Sequence, residues 1–460
     1  MGNIYIGDSN SKARKIKSAY VGVDNIAKKI KAVYIGDANG KARLVWQSVI
    51  EKVVTFVSSL CKGTYSFTHS FINYQSSTSI DYRYPQKIGE NLYGGIYYES
   101  GYDTMNDYNY TATGLYCISL DNNCKPISIG KREIYSNSGT NISGTGGSVS
   151  VCTTIGDGKL YSLGLTYVSY GSYTEDIHYR FMYDYNTGYS CRSRIMSERT
   201  DSEVTYYHGI ARAGNSGAIY LKDYEKKTNR TGKFTLELDY NITIGNDTYS
   251  IGESGRITIP STISKDYKSS QMYLYEINNT SGLIIESDDY STTRRFIKYT
   301  INTSSNVTGS NRITLTELGT YKFTYEYDLC EKVNDNTFVI YDYNYHFMVI
   351  TINDNNTIST GTETTLDSSM QGYRIVSRIG TTNTFVLYNS THSKSKLIYI
   401  DTKNRTITYL GEKNVGTIDH SFGDWYLYYC VPYKDDSILY FRHECDKSYG
   451  YLKTVVDTYK

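Results

Sequence analysis

Histidines and acidic residues occur throughout the chain, but not at the spacings that known catalytic or metal sites use. The seven histidines never form H-x-x-x-H or H-E-x-x-H, the patterns that place two imidazoles on one zinc ion. A G-x-S-x-G turn for a nucleophilic serine and a phosphate-binding glycine loop are both absent. The paired carboxylates Asp288-Asp289 and Asp435-Asp436 stand in turn-like contexts, where a solvated Asp is usual. The sequence therefore predicts no catalytic residue, metal ligand or cofactor, although two carboxylates converging across a channel at glycosidase separation stay an alternative.

Two loops have the composition of a binding surface. They cover residues 102–110 and 167–173, and both combine Tyr with Asp, Asn or Ser. Such residues stack on sugar rings and hydrogen-bond to hydroxyl groups, and they also form adaptable protein-binding surfaces. The alternative is that these are solvated loops of a Tyr-rich chain. The candidate ligand-binding residues are Tyr102, Asp103, Asn106, Tyr108, Tyr110, Tyr167, Tyr170 and Tyr173.

The elements that must position these loops are predicted to be β-strands. The chain has 52 Tyr against 12 Phe, few prolines and almost no 3.6-residue periodicity, which favours an all-β fold with solvated strand faces. The clearest repeat, residues 373–411, reads as four antiparallel strands in about forty residues, which is typical of a propeller blade. Its second strand recurs seven times, at 92–98, 160–168, 218–223, 272–277, 338–343, 385–389 and 438–442.

We therefore predict a β-propeller over residues 49–460, with seven blades favoured and six or eight as alternatives. A right-handed β-helix is the main competing fold. After 438–442 the chain has only one more strand, 450–456, so the last blade lacks its outermost strand. Residues 52–59 alternate in polarity and have no other partner, so they are predicted to close that blade and remove an exposed edge.

The first 46 residues contain one short unit three times, beginning at Tyr5, Tyr20 and Tyr34. Each unit has an apolar triplet, a turn and a basic segment, which predicts a β-hairpin. Residues 1–47 hold nine Lys or Arg and three Asp, a net charge of +6, whereas the rest of the chain has a charge of −5. We expect a basic hairpin module over residues 1–48. Its pattern fits no familiar nucleic-acid module, so an acidic protein surface is the favoured partner.

The hairpin units, from Tyr5-Ile6-Gly7 to Arg43-Leu44-Val45-Trp46, resemble the Y-[IV]-G-V-x-G-x-A-R-K-[IV]-K repeats of phage and prophage proteins of Gram-positive hosts. In those tail or surface proteins the repeats often precede kelch-like propeller sequences. The match covers about a tenth of the chain, and the middle unit departs from it at Ile26 and Lys28. The resemblance implies a virion or phage-tail-like particle protein. The candidate anchoring residues are Tyr5, Arg14, Lys15, Tyr20, Lys28, Lys29, Tyr34, Arg43 and Trp46.

These observations predict a structural protein of a tail, baseplate or particle surface, made in the bacterial host cytoplasm without a signal peptide. Residues 1–47 would bind other virion or tail proteins, and the propeller would present its Tyr-rich loops to a cell-surface glycan or protein. The chain has no run of eighteen apolar residues, so no membrane insertion is predicted. The alternatives are a glycan-cleaving enzyme on the same scaffold and a purely architectural decoration protein.

Overall fold

The computed structural model describes six short strands within residues 1–47, which we call the head, and most of the remaining chain. The described segments after the head are 53–68, 77–103, 108–139, 145–169, 173–199, 203–226, 233–246, 248–263, 270–288, 291–389, 394–414, 430–445 and 449–460. No helix in these segments is both long and apolar enough to cross a membrane. Their helical content consists of two short 3-10 turns, Gly309–Arg312 and Ser368–Met370.

The head contains three two-stranded antiparallel ladders. Their strands are β1 (Tyr5–Gly7), β2 (Ala13–Lys15), β3 (Tyr20–Val23), β4 (Ile26–Lys29), β5 (Ala32–Gly36) and β6 (Ala42–Gln47). They pair in sequence order, with Tyr5 opposite Lys15 and Tyr20 opposite Lys29. Every predicted anchoring residue falls on one of these strands. Their side chains lie outside the described residues, so the anchoring role and the boundary at residue 48 stay predictions.

The body is a seven-bladed β-propeller, which confirms the predicted all-β class and the favoured blade count. After β7 (Phe56–Thr68), blade 1 contains β8 (Ser77–Gly89), β9 (Leu92–Asp103), β10 (Tyr108–Leu120) and β11 (Pro126–Gly139). Blade 2 contains β12 (Thr145–Gly156), β13 (Lys159–Ser169), β14 (Thr174–Asp184) and β15 (Ser190–Arg199). Blade 3 contains β16 (Glu203–Ala213), β17 (Gly217–Lys226), β18 (Lys233–Ile244) and β19 (Tyr249–Ile259). Blade 4 contains β20 (Ser270–Asn278), β21 (Ser281–Asp288), β22 (Thr293–Ile301) and β23 (Ile313–Lys322).

Blade 5 is the irregular member, because two short strands share its outermost position. It contains β24 (Leu329–Lys332), β25 (Thr337–Tyr341), β26 (His346–Ile352), β27 (Ile358–Thr360) and β28 (Thr364–Thr365). Blade 6 contains β29 (Arg374–Arg378), β30 (Thr384–Tyr388), β31 (Lys394–Asp401) and β32 (Thr406–Asn414). Blade 7 contains β33 (Cys430–Tyr433), β34 (Ser437–Cys445), β35 (Tyr449–Tyr459) and the early strand β7.

The ring closes by pairing the two ends of the propeller chain. β7 runs antiparallel to β35, with Leu60 opposite Val456, and Thr55 exchanges two backbone hydrogen bonds with Lys460. The segment 52–59 therefore overlaps this outermost strand from Phe56 onward, and Lys52 lies outside the described residues. Such pairing ties the first blade-forming residues to the last ones, so the final sheet reaches four strands.

Apolar side chains fill each contact between neighbouring blades. The described chain has seven buried clusters, one for each pair of adjacent blades around the ring, including the pair formed by blades 7 and 1. The second strands face such clusters on both sides, so β25 and β30 are buried at every position and read as unbroken apolar runs. The outer strand β19 instead alternates between buried or half-buried and exposed residues. Burial on both faces explains why the second strands were the clearest repeat in the sequence.

One predicted strand holds a different place in its blade. The segment 272–277 was expected to be the second strand of blade 4, but it belongs to β20, the first strand. The second strand is β21, whose eight residues Ser281–Asp288 are almost entirely buried. Both segments are apolar and separated by a two-residue turn, so local pattern did not distinguish the central strand from its neighbour.

Candidate functional site

The predicted Tyr-rich loops lie on one face of the ring. In an antiparallel four-stranded blade, the connection between the second and third strands and the connection to the next blade share one end, which we call the loop face. The loop 102–110 joins β9 to β10 in blade 1, and 167–173 joins β13 to β14 in blade 2. The two predicted loops therefore belong to adjacent blades on the loop face.

The structure places these candidate residues unevenly. Asn106 and Tyr170 lie outside the described residues, and so do the side chains of Tyr102, Asp103 and Tyr108, which are strand residues. The Tyr110 hydroxyl donates to Glu133 Oε2 at 3.2 Å, and burial together with this carboxylate raises the pKa of Tyr110 to about 12. Tyr167 is 39% exposed, whereas Tyr173 is half-buried. Of the residues whose side chains are described, Tyr167 is therefore the best placed to meet a ligand.

A buried polar cluster lies directly beside Tyr167. Asp176 is opposite Tyr167 on β14, and Glu198 is opposite Asp176 on β15, so the three residues lie in one row across blade 2. His178 follows two residues after Asp176 and therefore projects from the same face of the sheet. Its Nε2 lies 2.9 Å from Glu198 Oε1, and both side chains are fully buried.

Blade 3 completes the hydrogen bonding of this cluster. The Thr205 backbone N–H donates to Glu198 Oε1 at 2.7 Å, and the Thr205 hydroxyl donates to Oε2 at 2.9 Å. Burial alone would raise the pKa of Glu198, but the hydrogen bonds from His178 and Thr205 outweigh it and hold the pKa below its ordinary value. Glu198 is therefore ionised at neutral pH, and its hydrogen bonds join blade 2 to the first strand of blade 3. We call the group of His178, Glu198 and Thr205 the clamp.

Three side chains of this cluster have the chemistry of a metal site, because ligand atoms of Asp176, His178 and Glu198 lie within 4.8 Å of one another. Imidazole with carboxylates suits zinc or another divalent transition metal. Both Glu198 oxygens already accept hydrogen bonds, so a cation would have to displace the Thr205 or His178 contacts. The geometry therefore fits a hydrogen-bonded carboxylate at the interface of two blades better than a metal centre.

A second histidine–carboxylate pair faces the next blade interface. His208 Nε2 lies 3.1 Å from Asp223 Oδ2, and the backbone N–H of Tyr206 donates to Asp223 Oδ1 at 3.2 Å. His208 is the extra residue of a β-bulge in β16, which redirects its side chain. The bulge depends on Gly209, whose φ is +151° and whose missing Cβ would lie 2.9 Å from the Leu274 carbonyl oxygen of blade 4.

Exposed tyrosines also lie on the loop face, in blades 3 and 5. Tyr206, next to Thr205 on the first strand of blade 3, is 52% exposed, and Tyr343 in the loop between β25 and β26 is 40% exposed. In the same part of blade 5, the Tyr325 ring stacks on His346 at 3.5 Å, and His346 Nδ1 lies 2.7 Å from Asp342 Oδ2. The loop face therefore combines aromatic rings with histidines that carboxylates hold in place, an arrangement suited to stacking and hydrogen bonding.

One acidic residue on an innermost strand of the ring, Glu331, has a raised pKa. Glu331 lies on β24, the first strand of blade 5, opposite Val339. Burial raises its pKa from 4.5 to about 7. A carboxyl group that keeps its proton near neutral pH can act as a general acid.

No motif in the sequence points to His178, Glu198, His208, Asp223 or Glu331. A weak signal was present at Asp176 and His178, since residues two apart on a strand share a face. Their partners come from another strand or the next blade, and Glu198 meets His178 only in the register that β15 adopts with β14. Such pairs depend on strand register and blade packing rather than on spacing.

Solved structures resemble this chain at low sequence identity. No family model matches the chain, and no curated protein matches it. Among solved structures, a candidate 6-phosphogluconolactonase from Bacteroides fragilis is similar at 11% identity and a TM-score of 0.41, over 75% of this chain and 92% of that one. A candidate 6-phosphogluconolactonase from Bacteroides uniformis is similar at 9% identity and a TM-score of 0.38, over 76% of this chain and 89% of the other. A protein from Lactobacillus plantarum is similar at 9% identity and a TM-score of 0.33, over 74% and 94% of the two chains.

Proposed function

We propose that this chain is a surface-binding protein of a virion or phage-tail-like particle, with a β-propeller that binds a cell-surface glycan through its loop face. The observation that carries the proposal is the pair of exposed rings, Tyr167 and Tyr206, on neighbouring blades. The buried clamp of His178, Glu198 and Thr205 holds together the blades that bear them. Exposed tyrosines on rigid strands provide stacking area with little loss of conformational entropy on binding.

The clamp sets the geometry of the two rings. Tyr167 lies two strand spacings from Glu198, or about 10 Å, and Glu198 bonds the residue that precedes Tyr206. Because both rings belong to regular strands rather than to loop tips, backbone pairing holds each ring within its own blade, and the clamp joins the two blades. Such a fixed pair favours an extended ligand that reaches both rings, such as a polysaccharide chain.

The test is binding of the full-length protein to purified bacterial cell-wall polysaccharide, measured by isothermal titration calorimetry. We expect Tyr167→Ala and Tyr206→Ala each to weaken binding by about 1 kcal/mol, or about fivefold, because each removes one stacking ring. Tyr189→Ala is the matched control, since Tyr189 is 40% exposed but lies between β14 and β15 on the opposite face of the ring. Equal affinity of all four proteins would contradict the loop-face assignment.

The proposed anchor is tested separately by deleting residues 1–47. The propeller has its own core and closes through β7 and β35, so the truncated protein should stay folded and keep its glycan affinity. It should no longer join the particle, because the head carries the +6 charge that would meet an acidic partner. Normal incorporation of the truncated protein into particles would refute the anchoring role.

A second candidate function, glycan cleavage, is favoured by Glu331 alone. A glycosidase needs one carboxyl group that is protonated at working pH, and burial gives Glu331 a pKa of about 7. Incubation with the same polysaccharide should then release reducing ends from the intact protein and none from Glu331→Gln. Binding without such release supports the non-catalytic proposal.

A further inference from the structure

A groove opens between the outer halves of blades 1 and 2. It has a free volume of about 420 Å³, within the range of small-ligand sites. Ile134 of blade 1 is its half-buried apolar side chain, Leu115 and Phe181 lie beneath it in the buried cluster between the two blades, and its polar lining includes Ser190. The two long charged side chains that project into it are Arg132 and Arg192, one from each blade.

Both guanidinium groups are held in place by the blade opposite. Arg132 donates from Nε and Nη2 to the Gly188 carbonyl at 3.1 and 2.7 Å, and its guanidinium lies 5.2 Å from the Tyr183 ring centre. Arg192 donates from Nη1 to the Ile134 carbonyl at 3.0 Å, and its guanidinium lies 4.9 Å from the Tyr179 ring centre. The two arginines therefore cross between blades in opposite directions and are pre-positioned on either side of the groove.

The positive charge in the groove is not neutralised within the described part of the chain. Neither Arg132 nor Arg192 has an ion pair with a described carboxylate there. Glu133 also borders the groove, but its carboxylate accepts a hydrogen bond from the Tyr110 hydroxyl. The Tyr110 ring packs against the cluster between blades 7 and 1. Arg192 is exposed, and of the five N–H donors of a guanidinium only one is used by the Ile134 carbonyl.

We propose that this groove binds the anionic group of an acidic saccharide, a sugar that carries a carboxylate or a phosphate. Two fixed guanidiniums match the planar, multidentate geometry of these anions, and the half-buried Ile134 offers an apolar contact to a sugar ring. This inference rests on the proposed function, because it specifies the class of glycan that the propeller takes. It adds a second contact region, between blades 1 and 2, to the exposed tyrosines of blades 2 and 3.

The test measures binding of three defined oligomers to the full-length protein by calorimetry: oligogalacturonate, oligo(glycerol phosphate) and neutral dextran. We expect at least one acidic oligomer to bind and dextran to bind more weakly. The acidic oligomer that binds identifies carboxylate or phosphate as the natural group. Arg192→Gln should weaken that binding about tenfold, the loss of one charge-assisted contact. Raising the ionic strength should weaken it as well.

Arg256→Gln is the matched control, because it removes an exposed arginine of blade 3 that pairs with Glu237 at 2.9 Å, away from the groove. Arg132→Gln is the second variant, with thermal unfolding as a check because Arg132 also holds the Gly188 turn. Arg192→Lys keeps the charge but loses the planar fork, so it should recover only part of the affinity.

The inference is overturned if neither acidic oligomer binds, if dextran binds equally well, or if Arg192→Gln and Arg256→Gln behave alike. These outcomes differ from a failure of the proposed function. If Tyr167→Ala weakens the binding of wall polysaccharide and Arg192→Gln does not, the loop-face proposal is supported and the groove proposal is refuted. If Arg192→Gln weakens the binding of acidic oligomers and Tyr167→Ala has no effect, the groove proposal is supported and the loop-face proposal is refuted.

Discussion

Replacing Glu331 with Gln removes a carboxyl group whose ionisation the folded propeller opposes. Glu331 lies on β24 in the central layer of blade 5, and burial raises its pKa from 4.5 to about 7. Between these two pH values the folded protein keeps a proton that the unfolded chain releases. The free energy of unfolding must therefore fall as pH rises from about 4.5 to about 7, and this contribution stays constant outside that window.

The size of the effect follows from the shift. A pKa raised from 4.5 to about 7 costs the folded protein about 3 kcal/mol above pH 7, since a change of one in pKa corresponds to about 1.4 kcal/mol. Gln has nearly the same shape and is neutral at every pH. The variant should therefore match the wild type near pH 4.5 and exceed it by about 3 kcal/mol at pH 7.5.

The assay is equilibrium urea unfolding of both proteins at several values between pH 4.5 and 7.5, monitored by tyrosine fluorescence and circular dichroism. Glu90→Gln is the matched control, because Glu90 is an exposed carboxylate in the turn between β8 and β9. Its stability should follow the wild type at each pH. A difference between Glu331→Gln and wild type that does not change with pH would refute the burial argument.

The remaining predictions concern the clamp, the ring closure and the bulge. Glu198→Gln should destabilise the protein by about 1–3 kcal/mol at pH 7, because an amide has one acceptor oxygen where the carboxylate uses two for His178 and Thr205. Since the folded pKa of Glu198 is lowered, this difference should shrink as pH falls below about 4.5 in the same urea assay. Tyr459→Ala should cost about 3–5 kcal/mol, because this ring is fully buried between blades 6 and 7 beside the closing strand, and a small drop in melting temperature would contradict that packing. Gly209→Ala should lower stability by more than about 1 kcal/mol, because a Cβ would meet the Leu274 carbonyl, and it should cost more than Gly411→Ala, where φ is also positive but no atom lies within 4 Å of the added Cβ.

Local sequence pattern was sufficient to predict much of the blade structure. The segment 373–411 was expected to contain four strands, and the structure has β29 to β32 in nearly the same bounds. These strands are short, apolar and separated by Asp, Asn or Gly, so their ends are local properties of the chain. The prediction failed for 272–277, because two apolar strands joined by a tight turn look alike and only burial on both faces identifies the central one.

The candidate site was less predictable than the fold. Composition pointed to Tyr167 on a loop-face connection, and the structure shows its ring partly exposed. It did not point to Tyr206, which comes from the first strand of the next blade. Nor did it point to the pair formed by His178 and Glu198, which lie twenty residues apart and meet through the register of β14 with β15. The arginines of the groove were equally hidden, since each is held by a carbonyl of the opposite blade.

By itself, the sequence determined most of the segments that form strands, favoured seven blades and showed where charge is concentrated along the chain, because hydrophobic alternation, turn residues and composition act over a few neighbouring positions. The tertiary structure decided which side chains face each other across the blades. That includes the clamp of His178 with Glu198 and Thr205, the bulge at His208 and the arginine-lined groove. These contacts join residues on different strands or blades, so they exist only once strand register and blade packing are set.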